Sequence, residues 1–322
     1  MAAPHNGYTI LLTNTGKDGD GPSPSAKRQE AFTRIVEEVK PSIIFTQECT
    51  GPFAKELGEQ YLKLGVPDAG FIYNVNEFVH NDFTQDTDLA RLVKRLTRDQ
   101  KISTDFQFLG RVRVVRFTSK GVPGLDILAL SWHGQYSRLN AAKKIEFLKE
   151  LFVVVKEIKK LEKFRDQGGK MLPVIVGGDF NIEVTKWPSD PDLIYHMYTP
   201  SDRRKDRLID LFVSTKELAV KNCKPVDMSF KLKDGDVASD FLKHDPVMGE
   251  LSFSGDIAGK PQTVQTDKKK ASPKEKPQTV QTDKKKASPK EKPKTVQTDK
   301  KKASPKEKPQ TVQTEKKNTK DL

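Results

Sequence analysis

The 322-residue chain is poor in cysteine, in long apolar runs and, over most of its length, in net charge. Its 2 cysteines, Cys49 and Cys223, exclude a disulfide scaffold and any zinc site built from cysteine pairs. No segment approaches the ~18 apolar residues of a membrane span. Tyr8 to Leu12 is too short for a signal peptide, and Lys17, Asp18 and Asp20 soon follow it. A cytoplasmic or nuclear protein is expected. Residues 259–322 hold 20 lysines against 8 acidic residues, so of the chain's +13 only about +1 belongs to residues 1–258. The basic isoelectric point is therefore no argument that the body binds nucleic acid.

The segment after residue 258 also lacks aromatics, histidine and cysteine. It is a repeat of 16 residues, over 267–282, 283–298 and 299–314, with Lys294 as its one variation. Each copy has one valine and two prolines, which gives no apolar face to stack and interrupts any helix. A division into a 1–258 domain and a disordered 259–322 tail follows. Lysine runs such as Lys268-Lys269-Lys270 suit weak, salt-sensitive contact with nucleic acid or another polyanion.

The body alternates strand-like and helix-like segments. Tyr8–Leu12 and Ser42–Thr46 read as strands around a helix over Ala26–Val39, whose Phe32, Ile35, Val36 and Val39 recur at helical spacing. Phe53–Leu64 reads as a helix and Phe71–Val75 as a strand. Asp86–Asp99 reads as a charged surface helix, and Phe106–Leu109 with Val112–Phe117 as a hairpin. Leu125–Ser131 is an apolar strand running into Trp132-His133. Asn140–Leu161 carries the longest helical stripe, and Met171–Val176, Leu208–Val213 and Val247–Phe253 read as further strands. This pattern predicts a two-sheet α/β body covered by helices. A doubly wound nucleotide fold is disfavoured, because Asn14 to Gly19 lacks the glycine spacing of a dinucleotide turn.

Polar residues collect at the strand ends: Asn14, Gln47, Glu48, His133, Asp179, Asn181, Asp210 and His244. Such ends face a shared crevice in α/β proteins. Glu48 is an oxygen ligand of the kind magnesium takes. Asp179 and Asn181, one residue apart on an extended segment, would point the same way while Phe180 turns into the core. His244 offers an imidazole that titrates near neutrality. The Lys186–Asp206 segment contains Trp187, Tyr195, His196 and Tyr198, followed by Arg203, Arg204, Lys205 and Arg207. It reads either as a base-stacking platform or as an ordinary aromatic-packed loop.

Thr46-Gln47-Glu48, Gly178-Asp179-Phe180-Asn181, Ile209-Asp210 and His244-Asp245-Pro246-Val247, in this order, resemble the motifs of the endonuclease/exonuclease/phosphatase superfamily. The resemblance covers roughly residues 8–253. It implies a four-layer α/β sandwich, two packed mixed sheets flanked by helices, acting as a magnesium-dependent phosphoesterase, with manganese as a substitute ion. It also implies Glu48, Asp210 and Gln47 at the metal, Asp179 on the attacking water, and Asn14, Asn181, His133 and His244 around the phosphate. The expected partner of this monomer is a phosphate-containing substrate, nucleic acid first, with inositol phosphates and phospholipid headgroups as alternatives. His133 resembles the phosphatase, sphingomyelinase and deadenylase branches more than the apurinic endonucleases. Two departures stand out. Lys243 occupies the place of the usual aspartate before the final histidine, with Ser239-Asp240 three residues early, and Thr13 replaces the tryptophan usual before Asn14. The competing expectation is a catalytically weak or inactive member acting as a binding or scaffold protein.

Overall fold

A computed structural model of the chain describes residues 7–16, 25–49, 57–65, 68–135, 139–201, 208–242 and 244–253. The tail, the Gly16–Pro24 loop beyond its first residue, Arg203–Arg207 and Lys243 lie outside the described residues.

In chain order the strands are β1 (Tyr8–Asn14), β2 (Ile43–Gln47), β3 (Tyr61–Gly65), β4 (Ala69–Asn74), β5 (Phe78–Asp82), β6 (Val112–Ser119) and β7 (Asp126–His133). They continue with β8 (Val174–Asp179), β9 (Leu193–His196), β10 (Asp210–Thr215), β11 (Leu218–Pro225) and β12 (Val247–Phe253). The helices are α1 (Ser25–Val39), α2 (Thr87–Arg98), the single turn α3 (Phe108–Arg111) and α4 (Ala141–Ile158). No described helix is long and apolar enough to cross a membrane.

The strands form two mixed six-stranded sheets, ordered β11-β12-β1-β2-β4-β3 and β5-β6-β7-β8-β10-β9. Each contains one parallel pair, β1 with β2 and β7 with β8, crossed over by α1 and by α4. Strand alternation sorts the side chains into three apolar layers. Ile10, Leu12, Phe45, Phe71, Phe117, Ile175 and Phe212 fill the space between the sheets. Leu11, Ile44 and Ile72 face outward onto Phe32 and Ile35 of α1. Leu128, Leu130, Val174 and Val176 face outward onto Leu148, Leu151 and Val155 of α4. Three cores between four layers are the expected sandwich.

The strand register positions the site. Asn14 lies opposite Gln47 at the end of one parallel pair, and His133 opposite Asp179 at the end of the other. Antiparallel β10 begins where β8 ends, with Asp210 opposite Asp179.

Several local expectations need correction. Over Phe53–Leu64 the spacing Leu57, Tyr61, Leu64 suits a helix, yet Tyr61–Gly65 is a strand pairing with β4. Tyr61 is tied to the Pro41 carbonyl through its hydroxyl at 3.1 Å. Phe106–Leu109 forms no hairpin with β6; Phe106 and Phe108 turn inward onto Trp132, with ring centroids at 5.7 and 6.1 Å. Strand β6 pairs instead with β7 and with β5, an edge strand of which only Phe78 is buried and which therefore shows no apolar alternation. Strand β8 runs through Gly177 and Gly178 instead of stopping at them. The Lys186–Asp206 segment contains edge strand β9. Its rings are half-buried against the core: Tyr195 stacks on Phe152 at 5.7 Å and Trp187 meets Phe180 at 4.5 Å. The aromatic-packed alternative is the one observed.

Candidate active site

At one end of the sandwich, Asn14, Gln47, Glu48, His133, Asp179, Asp210 and His244 are all buried. Such polar side chains inside a fold require partners. Asn14 Nδ2 donates to Asp179 Oδ2 at 3.0 Å, and the Gly16 N–H donates to Asn14 Oδ1 at 3.0 Å. Asp179 Oδ1 accepts from the Asn181 N–H at 2.8 Å. His244 Nδ1 donates to Asp210 Oδ2 at 2.7 Å and lies 3.7 Å from Asp179 Oδ2. Asp179, Asp210 and His244 thus offer ligand-type atoms all within 4.8 Å of one another. Burial, aided by the like charge of Asp210, pushes the Asp179 carboxyl up to about 6.

A second group gathers around Glu48 and His133. Glu48 sits just beyond β2 with φ of 52°, and its backbone carbonyl accepts from Thr15 Oγ1 at 3.1 Å. His133 Nε2 lies 3.5 Å from Glu48 Oε1, while its Nδ1 faces Arg111 Nη1 at 3.5 Å and Asp68 Oδ1 at 4.0 Å. Gln47 Nε2 donates to Ser131 Oγ at 3.0 Å, and Ser131 Oγ donates to the Thr46 carbonyl at 3.1 Å.

One detail differs from the sequence reading. Asn181 does not continue an extended segment. Its φ is 54°, and its side-chain Nδ2 donates to the Gly134 carbonyl at 3.0 Å. Phe180 does turn inward, 4% exposed. Asp210 holds His244 through Oδ2 and, among the described residues, leaves Oδ1 without a hydrogen-bond partner. Asp240, of the Ser239-Asp240 pair that comes three residues early, is exposed, and among the described residues its carboxylate accepts from the Ser239 hydroxyl at 3.4 Å.

Ser131, Asp68, Arg111, Gly134 and Lys144 join the site without having been singled out for it. Glycine directly after His133 was the legible signal. A Cβ on Gly134 would lie 2.4 Å from the Phe180 carbonyl oxygen, so no larger residue fits. His196 lies apart from the site. Its Nδ1 accepts from the Val220 N–H at 3.3 Å, its Nε2 meets Ser214 Oγ at 2.8 Å, and Ser214 Oγ donates to the Leu218 carbonyl at 2.6 Å. Burial lowers His196 to about 4.

No protein-family model matches the chain, and no curated protein matches its sequence. Solved structures resemble it in architecture. An endonuclease/exonuclease/phosphatase from Bacteroides vulgatus aligns at TM-score 0.52 and 14% identity, over 77% of this chain and 99% of that one. The human Nocturnin catalytic domain, with bound sulfate, aligns at TM-score 0.52 and 15% identity, over 77% and 94%. A humanized D. rerio TDP2 aligns at TM-score 0.51 and 15% identity, over 77% and 99%. At these identities the likeness is one of architecture, and by that architecture the chain has the endonuclease/exonuclease/phosphatase fold.

Proposed function

We propose that residues 1–258 form a metal-dependent phosphoesterase and that 259–322 is a separable basic tail. One observation carries the reading: strand register sets Asp210 and His133 opposite Asp179, and the ligand-type atoms of Asp179, Asp210 and His244, all buried, lie within 4.8 Å of one another. Burying acids this way is costly and has no role in packing.

The donor set suits a hard cation. Among the described residues, Asp210 Oδ1 and Gln47 Oε1 are buried oxygens without a hydrogen-bond partner, and no cysteine enters the site. Glu48 and Asp210 would hold magnesium, with manganese as a substitute, and Gln47 would support them. The bound ion would neutralise phosphoryl oxygens. Asp179, its carboxyl raised towards neutrality, orients and deprotonates the attacking water. Because Asp210 accepts from Nδ1, His244 works through its other ring nitrogen, as proton donor or phosphate clamp. Asn14 and Asn181 each retain a second amide hydrogen for a phosphoryl oxygen, and His133 completes that set.

For the substrate class, support is by fold analogy alone. One neighbour is a TDP2 with a single-strand DNA product and another a mannosyl-6-phosphatase. We favour a nucleic-acid phosphodiester, with sugar or inositol phosphates next. The test is turnover of single-stranded DNA, duplex DNA, RNA, inositol phosphates and sphingomyelin. It is run with magnesium, with chelator, and with Glu48→Gln protein. Magnesium-dependent turnover lost in Glu48→Gln is expected. No turnover in any arm, or equal turnover in all, overturns the reading and favours a binding protein.

A further inference from the structure

The first turns of α4 carry Lys143 and Lys144, and the first turn has no acidic residue. Cations at this end oppose the helix dipole, so a local partner is expected for each. Lys143 pairs with Glu146 at 2.8 Å. Lys144 has no carboxylate partner among the described residues. Its half-buried ammonium donates instead to the Asn181 carbonyl at 3.1 Å.

That carbonyl ends a constrained turn. Asn181 is held in the left-handed region at φ 54°, which asparagine tolerates better than most residues but does not prefer. Its N–H donates to Asp179 Oδ1 at 2.8 Å, and its side chain donates to the Gly134 carbonyl at 3.0 Å. The Phe180 N–H donates to the Ile209 carbonyl at 2.9 Å. The turn is thus fastened to β10 and to the end of β7, and Lys144 supplies its tie to α4.

We propose that Lys144 is a positioning residue that locks the Asp179–Asn181 turn in its left-handed form and so fixes the Asp179 carboxylate. Without the ammonium the Asn181–Ile182 peptide loses its charged donor, and Asn181, freed at its carbonyl side, relaxes away from positive φ and carries the preceding peptide with it. The N–H then no longer points at Asp179 Oδ1. The catalytic meaning of this lock rests on the proposed function, whereas the lock itself does not.

The experiment compares wild-type full-length protein with Lys144→Met, which keeps the apolar stem, Lys144→Arg, which keeps a donor, and Lys149→Met, a charge-loss control elsewhere on α4. The first readout is hydrogen exchange of the Asn181 amide by NMR. Exchange about tenfold faster in Lys144→Met, with the melting temperature held and Lys144→Arg and Lys149→Met near wild type, is expected for loss of one charge-assisted bond. The second readout is steady-state kinetics on the substrate turned over best. There kcat should fall about tenfold with KM little changed, since orientation of the water matters only in the chemical step. Unaltered Asn181 exchange in Lys144→Met overturns the lock. If wild type turns over no substrate, the functional reading fails while exchange still decides the lock.

Discussion

Towards the site, β2 presents Phe45 to the inter-sheet core where β8 presents Gly177. The two parallel units, β1–α1–β2 and β7–α4–β8, are otherwise built alike and carry the polar strand ends that meet in the site. A Cβ on Gly177 would lie 2.6 Å from Phe45 Cδ1, so the ring of one unit occupies the space that the other leaves. Gly178 is just as tight, its Cβ position falling 2.0 Å from the Trp132 carbonyl oxygen. The first unit is therefore sensitive to atoms removed and the second to atoms added. The same asymmetry runs through the chemistry. The first unit contributes Asn14, Gln47 and Glu48, which are proposed to hold and brace, and the second contributes Asp179, which is proposed to act.

The sharpest way to test that division is Asp179→Asn beside Asn14→Ala. Asp179→Asn should lower kcat by about 10²–10⁴ while leaving binding of a phosphate-bearing ligand nearly intact. Asn14→Ala should cost less, because Asp179 keeps the Asn181 N–H. Full turnover in Asp179→Asn would remove this residue from the mechanism.

Packing offers the next contrast. Phe45→Ala should destabilise by about 3–5 kcal/mol, and Gly177→Ala by about 1–3 kcal/mol through overpacking. Combining Gly177→Ala with Phe45→Leu should recover part of the loss, and strict additivity in denaturant melts would break the complementarity described above.

His196 belongs to neither unit and joins edge strands of the two sheets. Its folded pKa, about 4, lies below the usual value, so the unfolded chain takes up the proton first. Its stabilisation is complete above pH ~6.5 and is lost as pH falls towards 4, by up to about 3 kcal/mol. Melts between pH 7 and 4 should show this loss in wild type and a shallower one in His196→Gln. Equal slopes would refute it. The smallest effect is expected from deleting residues 259–322. Melting should stay within a few degrees, since little apolar surface leaves with the tail. Affinity for nucleic acid should drop at low salt only.

The chain made its central features legible because they combine period and punctuation. The parallel pairs are short apolar runs that end in polar residues, and the two crossover helices carry clear stripes. Asn14, Gln47, Glu48, His133, Asp179 and Asn181 sit at or just past those ends for the same reason, while Asp210 opens β10 and His244 precedes β12. What was hidden has physical causes. Strand β5 buries only Phe78, and β11 loses its alternation at an irregularity between Lys221 and Lys224. Over 53–64, one spacing served two periods. At the site, the positive φ of Asn181 and the backbone ties of Lys144 and Gly134 depend on contacts between segments distant in sequence. The pairing of Asp210 with His244, 34 residues apart, is of the same kind.

Polar ties ring the apolar interior. Tyr8 meets Ser119, Asn14 meets Asp179, Ser131 meets both Gln47 and the Thr46 carbonyl, and Val220 meets His196, each tie crossing from one sheet to the other. These directional bonds, which break when their partners shift by an ångström or so, add to the interlocking of Phe45 with Gly177. The two sheets are in effect sewn along their seams. Any accommodation of a bulky ligand then falls to the connecting segments around the rim, which makes those segments, and not the frame, the place where selectivity can be rewritten.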